Sequence, residues 1–101
     1  MPAPKQRATT ATQQLIDQGR VLFHAGEVLR ARQIFSSALT GRLPDVLHEL
    51  ARTYDPHYLQ QLPKSDAKPN PSMARAIYQH AVMVGSAEAG ADLARLRSQL
   101  H

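Results

Sequence analysis

The 101-residue chain contains no cysteine and no tryptophan, and its aromatic residues are two phenylalanines and three tyrosines. The absence of cysteine excludes a disulfide framework, a thiolate zinc site and a cysteine nucleophile. No apolar run approaches the roughly 20 residues that a membrane-spanning helix needs, so the sequence predicts no membrane span. The first fourteen residues lack the apolar core of a secretory signal, which leaves a cytoplasmic location as the default expectation.

The excess of one sign of charge is also small, because the net charge is only +4. This excess permits weak attraction to acidic surfaces but falls short of the concentrated basic patch of a nucleic-acid-binding protein. The length suits one small domain and is too short for a second independent core. We expect residues 1–9 to form a flexible polar arm and residues 10–101 to form a single helical domain.

Helical signals dominate the sequence from Thr10 onwards. Thr10 and Gln13 have the spacing of a capping box at a helix start. Gly26 ends this first helix, because glycine tolerates the left-handed conformation that closes a last turn. A second helix is predicted over residues 27–40, with Gly41 as its stop. No segment has the sustained period-two alternation of a strand, so the sequence predicts an all-α domain.

Further helices lie on either side of a proline-rich segment. Pro44 suits the first turn of a third helix. Residues 55–71 contain four prolines and therefore predict a long inter-helix loop with at most one helical turn in it. A fourth helix is expected over residues 71–84, with Gly85 as its stop, and Ser86 is predicted to cap a fifth, C-terminal helix.

A pattern of small and large apolar residues recurs along the chain. The recurring positions are Ala31, Phe35 and Ala38, then Ala74, Tyr78 and Ala81, at an offset of 43 residues. Gly19 and Ala51 are also equivalent positions, but their offset is only 32 residues, because the long loop of residues 55–71 does not lie between them. Antiparallel helices approach closely where one presents Gly or Ala, and bulky residues fill the spaces between successive hairpins. The sequence therefore predicts two antiparallel helical hairpins plus a C-terminal capping helix, a short α-solenoid.

This pattern resembles the tetratricopeptide repeat, although Gln18 stands where that family usually has an apolar residue. The second unit, "LARTY" and then "MARAIYQHAVMVGSAEA" after a long loop, resembles the related Sel-one-like (SLR) repeat; Ile77 replaces an aromatic residue there and Val82 an alanine. The resemblance implies a non-catalytic adaptor or scaffold, either by itself or as the repeat domain of a larger bacterial protein. It also implies peptide binding in a groove lined by the first helix of each hairpin. The matching positions in the first unit are Leu15, Gly19, Leu22, Ala31, Phe35, Ala38 and Pro44.

The predicted groove carries arginines at one repeat position. Each follows a small residue that is expected to pack inward, so the three should align along one face. Because a guanidinium binds a carboxylate in a forked geometry, such a groove suits an acidic peptide or a terminal carboxylate. The alternative is that Arg52 and Arg95 merely solvate a face and pair within their helices with Glu49 and Asp92. The candidate partner-binding residues are Arg20, Phe23, His24, His48, Arg52 and Arg95.

The sequence contains no constellation that indicates catalysis, so we expect no enzymatic activity, no metal and no cofactor. There is no Gly-rich phosphate loop and no Ser-centred elbow, and the five histidines lack the spacing of a zinc site. Two other functions remain open. Self-assembly is one, since isolated arrays usually need about three repeats and Leu93, Leu96 and Leu100 form an apolar row on the last helix. Weak nucleic-acid binding is the other, and Asp45 and Glu49 on the third helix disfavour it.

Overall fold

A computed structural model describes residues 4–40 and 42–99 of the protein, and its regular secondary structure over those residues is entirely helical. α1 and α2 form one hairpin, α3 and α5 form a second, and α6 packs against α5. This arrangement is a short helical solenoid and confirms the predicted all-α fold class. No helix in this part of the chain is long and apolar enough to cross a bilayer. The helices are α1 Pro4–His24, α2 Val28–Ser37, α3 Leu43–Arg52, α4 Pro56–Leu59, α5 Pro71–Met83 and α6 Ala87–Gln99.

The first helix begins earlier than the sequence predicts. α1 starts at Pro4, so residues 4–9 extend the helix instead of forming part of a flexible arm; residues 1–3 lie outside the described residues. Proline suits the first turn of a helix, and the lysine, glutamine, arginine and alanine that follow are all good helix formers. The predicted capping box consequently lies inside α1, and its position as a helix start is wrong.

Glycine and serine mark three of the other helix ends, as the sequence predicts. Gly26 and Gly85, which follow α1 and α5, have φ angles of +85° and +111°, in the left-handed region that favours glycine. The Ser86 hydroxyl accepts a hydrogen bond of 3.1 Å from the backbone N–H three residues on, which confirms the predicted cap of α6. α2 ends at Ser37, before its predicted end, and the predicted stop at Gly41 lies outside the described residues.

Small residues allow the two helices of each hairpin to touch. Gly19 of α1 lies against the ring of Phe35 on α2 so closely that an added Cβ would be 2.3 Å from the Phe35 Cε1 atom. In the second hairpin the side chains of Ala74, Tyr78 and Ala81 are completely buried. Small residues thus bring the helices together around large aromatic side chains in both units, which explains the recurring pattern in the sequence.

The long segment between α3 and α5 is tied to the first hairpin. It contains the single helical turn predicted within residues 55–71, which is α4. The Asp66 carboxylate accepts hydrogen bonds from the backbone N–H groups of Val28 and Leu29, at 2.8 and 3.0 Å. The Asp66 N–H in turn donates to the carbonyl oxygen of Gly26 at 3.1 Å. A carboxylate at the first turn of α2 satisfies backbone groups that the helix leaves unpaired, so the segment also stabilises the hairpin turn.

Candidate functional site

A groove of about 340 Å³ lies between α1 and α3, the first helices of the two hairpins. We call it the central groove. Charged and polar side chains make up most of its lining. Three of the six predicted partner-binding residues line it, namely Arg20, His48 and Arg52. The complete lining is Gln13, Ile16, Arg20, Arg42, Asp45, His48, Glu49, Arg52 and Glu88.

Glu49 joins two of the predicted arginines across the groove wall. Its side chain is only 7% exposed. The Oε1 atom accepts hydrogen bonds from Arg20 Nε at 3.0 Å and Arg20 Nη2 at 2.7 Å, and Oε2 lies 3.4 Å from Arg52 Nη1. The hydrogen bonds that Arg20 donates to Glu49 raise the pKa of Arg20, despite the opposing effect of partial burial. Since a buried carboxylate is tolerated only when its charge is compensated, Glu49 fixes the positions of both guanidinium groups.

Arg95 belongs to a buried cluster outside the central groove. Its guanidinium donates a hydrogen bond to Asp55, whose side chain is completely buried, and lies 3.4 Å from the Asp92 carboxylate. The Tyr78 hydroxyl also donates to Asp55, at 2.6 Å, and burial together with this bond raises the pKa of Tyr78. The prediction that Arg95 lines the groove is wrong, because Asp55 draws its side chain into the space between α3, α5 and α6.

His48 lines the groove, and its imidazole is hydrogen-bonded to Asp92 of α6. The distance between His48 Nε2 and Asp92 Oδ2 is 2.6 Å, and the His48 side chain is 14% exposed. The Tyr58 hydroxyl donates to Asp92 Oδ1 at 2.7 Å. Burial opposes ionisation of Asp92, but the hydrogen bonds from His48, Tyr58 and Arg95 outweigh it and lower the pKa of Asp92. Burial, reinforced by the bond to Asp92, raises the pKa of Tyr58 to about 12.

Tyr58 connects the two charged clusters. The guanidinium of Arg52 lies 4.3 Å from the centre of the Tyr58 ring, and that of Arg95 lies 5.6 Å from the same centre. Because Arg52 also meets Arg20 through Glu49, the three arginines form one continuous row. The contacts of Arg52 with Glu49 and of Arg95 with Asp92, which the sequence offers as the alternative to a groove, are both present at 3.4 Å.

Phe23 and His24 do not line the central groove. The Phe23 side chain is 6% exposed and belongs to the apolar core of the first hairpin, together with Leu59 of α4. The prediction that Phe23 is a partner-binding residue of the groove is therefore wrong, because the segment after α3 contributes to the core that surrounds its side chain. His24 is exposed in the last turn of α1, with its ring centre 5.8 Å from that of Phe23, and it is absent from the groove lining.

Several charged residues of the groove were not predicted as site residues. The Arg42 guanidinium donates to Asp45 Oδ2 from Nε at 2.9 Å and from Nη2 at 2.6 Å, and it also donates to the Gln13 side chain of α1. The spacing of Arg42 and Asp45 around Pro44 indicates a local ion pair, but not its contact with α1. With Glu88 included, three guanidinium groups face three carboxylates. The lining is thus balanced in charge and is not the basic groove that the sequence predicts.

No protein-family model, curated protein or solved structure matches the chain. The resemblance to tetratricopeptide and Sel-one-like repeats therefore rests on the residues that carry it and stays a prediction. Among residues 4–40 and 42–99, no three histidine or carboxylate side chains come together in a group that could hold a metal ion. What the central groove offers is a set of charged side chains that are already fixed by their neighbours.

Proposed function

We propose that the protein is a non-catalytic interaction module of the tetratricopeptide-repeat superfamily, Sel-one-like subclass, that binds an extended acidic segment of a partner protein in the central groove. The observation that carries this proposal is the contact of Arg20 and Arg52 with the nearly buried Glu49. It supports binding because arginines that are already immobilised lose little side-chain entropy when a ligand arrives.

The arginines retain hydrogen-bonding capacity toward the groove. The side chain of Arg20 is 48% exposed and that of Arg52 is 26% exposed. Glu49 accepts from Arg20 Nε and Nη2, whereas the nearest carboxylate oxygen to Arg20 Nη1 belongs to Asp17, at 3.9 Å. A guanidinium has five N–H donors. A carboxylate of the partner can therefore accept hydrogen bonds from Arg20 without displacing Glu49, and such charge-assisted bonds are among the strongest available.

The balanced charge of the groove favours recognition by position over recognition by net charge. Acidic side chains of the ligand are attracted to Arg20 and Arg52, whereas Asp45 and Glu88 repel an acidic residue placed beside them. We therefore expect the ligand to carry isolated acidic residues within an extended segment. The same carboxylates disfavour the continuous phosphate backbone of a nucleic acid, whose binding depends on the release of counterions by clustered cations.

The test is a selection of displayed random peptides on the immobilised protein, read as the frequency of Asp and Glu at each position. The wild type should enrich acidic residues at defined positions, and Arg20→Gln/Arg52→Gln should lose that enrichment. The matched control is Arg75→Gln/Arg97→Gln, which removes two exposed arginines outside the groove lining. No enrichment with the wild type, or the same enrichment with the groove variant, would contradict the proposal.

A second groove variant separates lost binding from lost stability. Glutamine at both positions leaves Glu49 with no compensating cation, which can destabilise the fold. Arg20→Lys/Arg52→Lys keeps the charges but removes the planar guanidinium groups. We expect this variant to retain the wild-type melting temperature within a few degrees, as measured by circular dichroism, and still to lose most of the positional enrichment.

A further inference from the structure

A second and larger groove, of about 610 Å³, lies between α1 and α2. We call it the end groove, because α1 and α2 of the first hairpin supply its whole lining. Its apolar floor consists of Val21, Leu22 and Ile34, and the rest of its lining is polar or charged, namely Asp17, Gln18, Arg30 and Gln33. Val21 is 69% exposed, and it adjoins the partly buried Leu22 and Ile34, so the three form one apolar patch. The apolar surface of this hairpin is thus left uncovered.

The last helix, by contrast, does not offer the apolar row that the sequence predicts for self-assembly. Leu93 and Leu96 are 7% and 1% exposed and pack in one core cluster with Tyr78 of α5. Leu100 lies outside the described residues. The predicted route of self-association through α6 is therefore not supported by the side chains that the structure describes, and the uncovered apolar surface is at the other end of the solenoid.

Asp17 and Arg30 occupy diagonally opposite corners of the end groove. Gly19 of α1 faces Phe35 of α2 across the hairpin, and the turn lies at Gly26. With a rise of about 1.5 Å per residue, Arg30 is about 7 Å nearer the turn than Phe35, and Asp17 is about 3 Å farther from it than Gly19. The two charges are thus about 10 Å apart along the hairpin and on different helices.

This diagonal arrangement makes the end groove complementary to itself. A two-fold axis that lies in the plane between two facing copies, perpendicular to the line from Asp17 to Arg30, exchanges these two corners. In such a pair, Asp17 of one copy faces Arg30 of the partner subunit, and the reciprocal contact forms at the other corner. The apolar floors meet between these contacts. A heterologous partner would have to supply the same diagonal charges, whereas a second copy of this chain supplies them by symmetry.

We propose that the protein forms an isologous homodimer through the end groove, with two reciprocal Asp17–Arg30 ion pairs around an apolar centre. The existing partners of these side chains are weak competitors. Arg30 Nη1 lies 3.3 Å from Glu27, the residue before α2. Asp17 lies 3.9 Å from Arg20 and accepts a hydrogen bond from Gln13 Nε2 at 2.9 Å, and all of these side chains are at the surface. Such pairs contribute little stability and exchange readily. The small apolar centre points to association in the micromolar range.

Charge exchange at the two corners tests the symmetry directly. Asp17→Arg alone places two arginines at each corner of the dimer, and Arg30→Asp alone places two aspartates there. Because the symmetry repeats each contact, we expect either variant to raise the dissociation constant of the dimer about tenfold. A one-to-one mixture of the two variants forms a heterodimer with an opposite-charge pair at both corners. Sedimentation velocity should therefore show that mixing restores the dimer.

An apolar pair of variants tests the location of the interface. Val21→Glu places a charge at the centre of the end groove and should leave a monomer with unchanged helical circular dichroism. The matched control is Met83→Glu, since Met83 is 83% exposed at the end of α5 in the second hairpin. A wild type that is monomeric up to millimolar concentration overturns the proposal. So does a dimer that survives Val21→Glu, one that is lost in Met83→Glu, or one that mixing the charge variants fails to restore.

Discussion

Replacing Gly19 with alanine tests the close helix contact on which the first hairpin depends. The new Cβ would lie 2.3 Å from Phe35 Cε1, 2.5 Å from Cζ and 2.9 Å from Cδ1. The Phe35 side chain is 1% exposed, so its ring has no solvent-filled space to move into. Overpacking a core costs about 1–3 kcal/mol, and three such short contacts place this case at about 3 kcal/mol. Alanine favours a helix over glycine by about 1 kcal/mol, so the free energy of unfolding should fall by about 2 kcal/mol.

The assay is urea unfolding followed by far-UV circular dichroism, with Gly90→Ala as the matched control. An added Cβ at Gly90 of α6 would meet only Val82 Cγ2, at 3.9 Å, which is an ordinary contact. That variant should therefore be more stable than the wild type by up to about 1 kcal/mol. Phe35→Leu should cost less in the Gly19→Ala background than in the wild type, because the clash is relieved. A Gly19→Ala variant as stable as the wild type would show that the Phe35 ring does not limit the approach of α1 and α2.

Three further predictions concern the buried cluster and the loop. The pKa of Asp92 is lower in the folded state, so the stability that its ionised form contributes is complete above the unfolded pKa of about 4 and is lost as the pH falls below it. In urea unfolding, the stability of Asp92→Asn should therefore depend less on acidic pH than that of the wild type. The pKa of Tyr58 is raised to about 12 in the folded state, so the stability that its neutral form contributes is lost as the pH rises through and above about 10. The free energy of unfolding of Tyr58→Phe should therefore fall less steeply with alkaline pH than that of the wild type. Asp66→Ala removes two hydrogen bonds at the start of α2 and should cost about 1 kcal/mol in thermal unfolding, whereas the exposed Lys68→Ala should cost little.

Much of the fold could be predicted because its signals are local or repeated. The glycine turns at Gly26 and Gly85 and the cap at Ser86 depend on residues that are close in sequence. The pattern around Phe35 recurs around Tyr78, and this recurrence also predicts which helices pair, because equivalent residues take equivalent places in successive hairpins. The start of α1 was predicted wrongly, since favourable helix formers before Thr10 extend the helix past the capping signal.

The site could be predicted only in part, because its charges are set by tertiary contacts. The repeat position brings Arg20 and Arg52 to one side, and Glu49 was visible as a neighbour of Arg52 along α3. Its stronger contact is with Arg20, which is 29 residues away in sequence. The diversion of Arg95 to Asp55 spans 40 residues and depends on how α6 packs beside the end of α3. Helical spacing in the sequence predicts neither of these two long-range contacts.

The central claim is that the groove between α1 and α3 binds an acidic extended segment. The most direct measurement is a titration of the ¹⁵N-labelled protein with a synthetic peptide of alternating glutamate and serine, followed by two-dimensional NMR. The account predicts shifts in the Arg20 and Arg52 Nε–Hε signals and in the backbone amides of the central groove. An equimolar peptide of alternating lysine and serine should leave them unchanged. Shifts confined to other surfaces, or none at saturating peptide, would contradict the account.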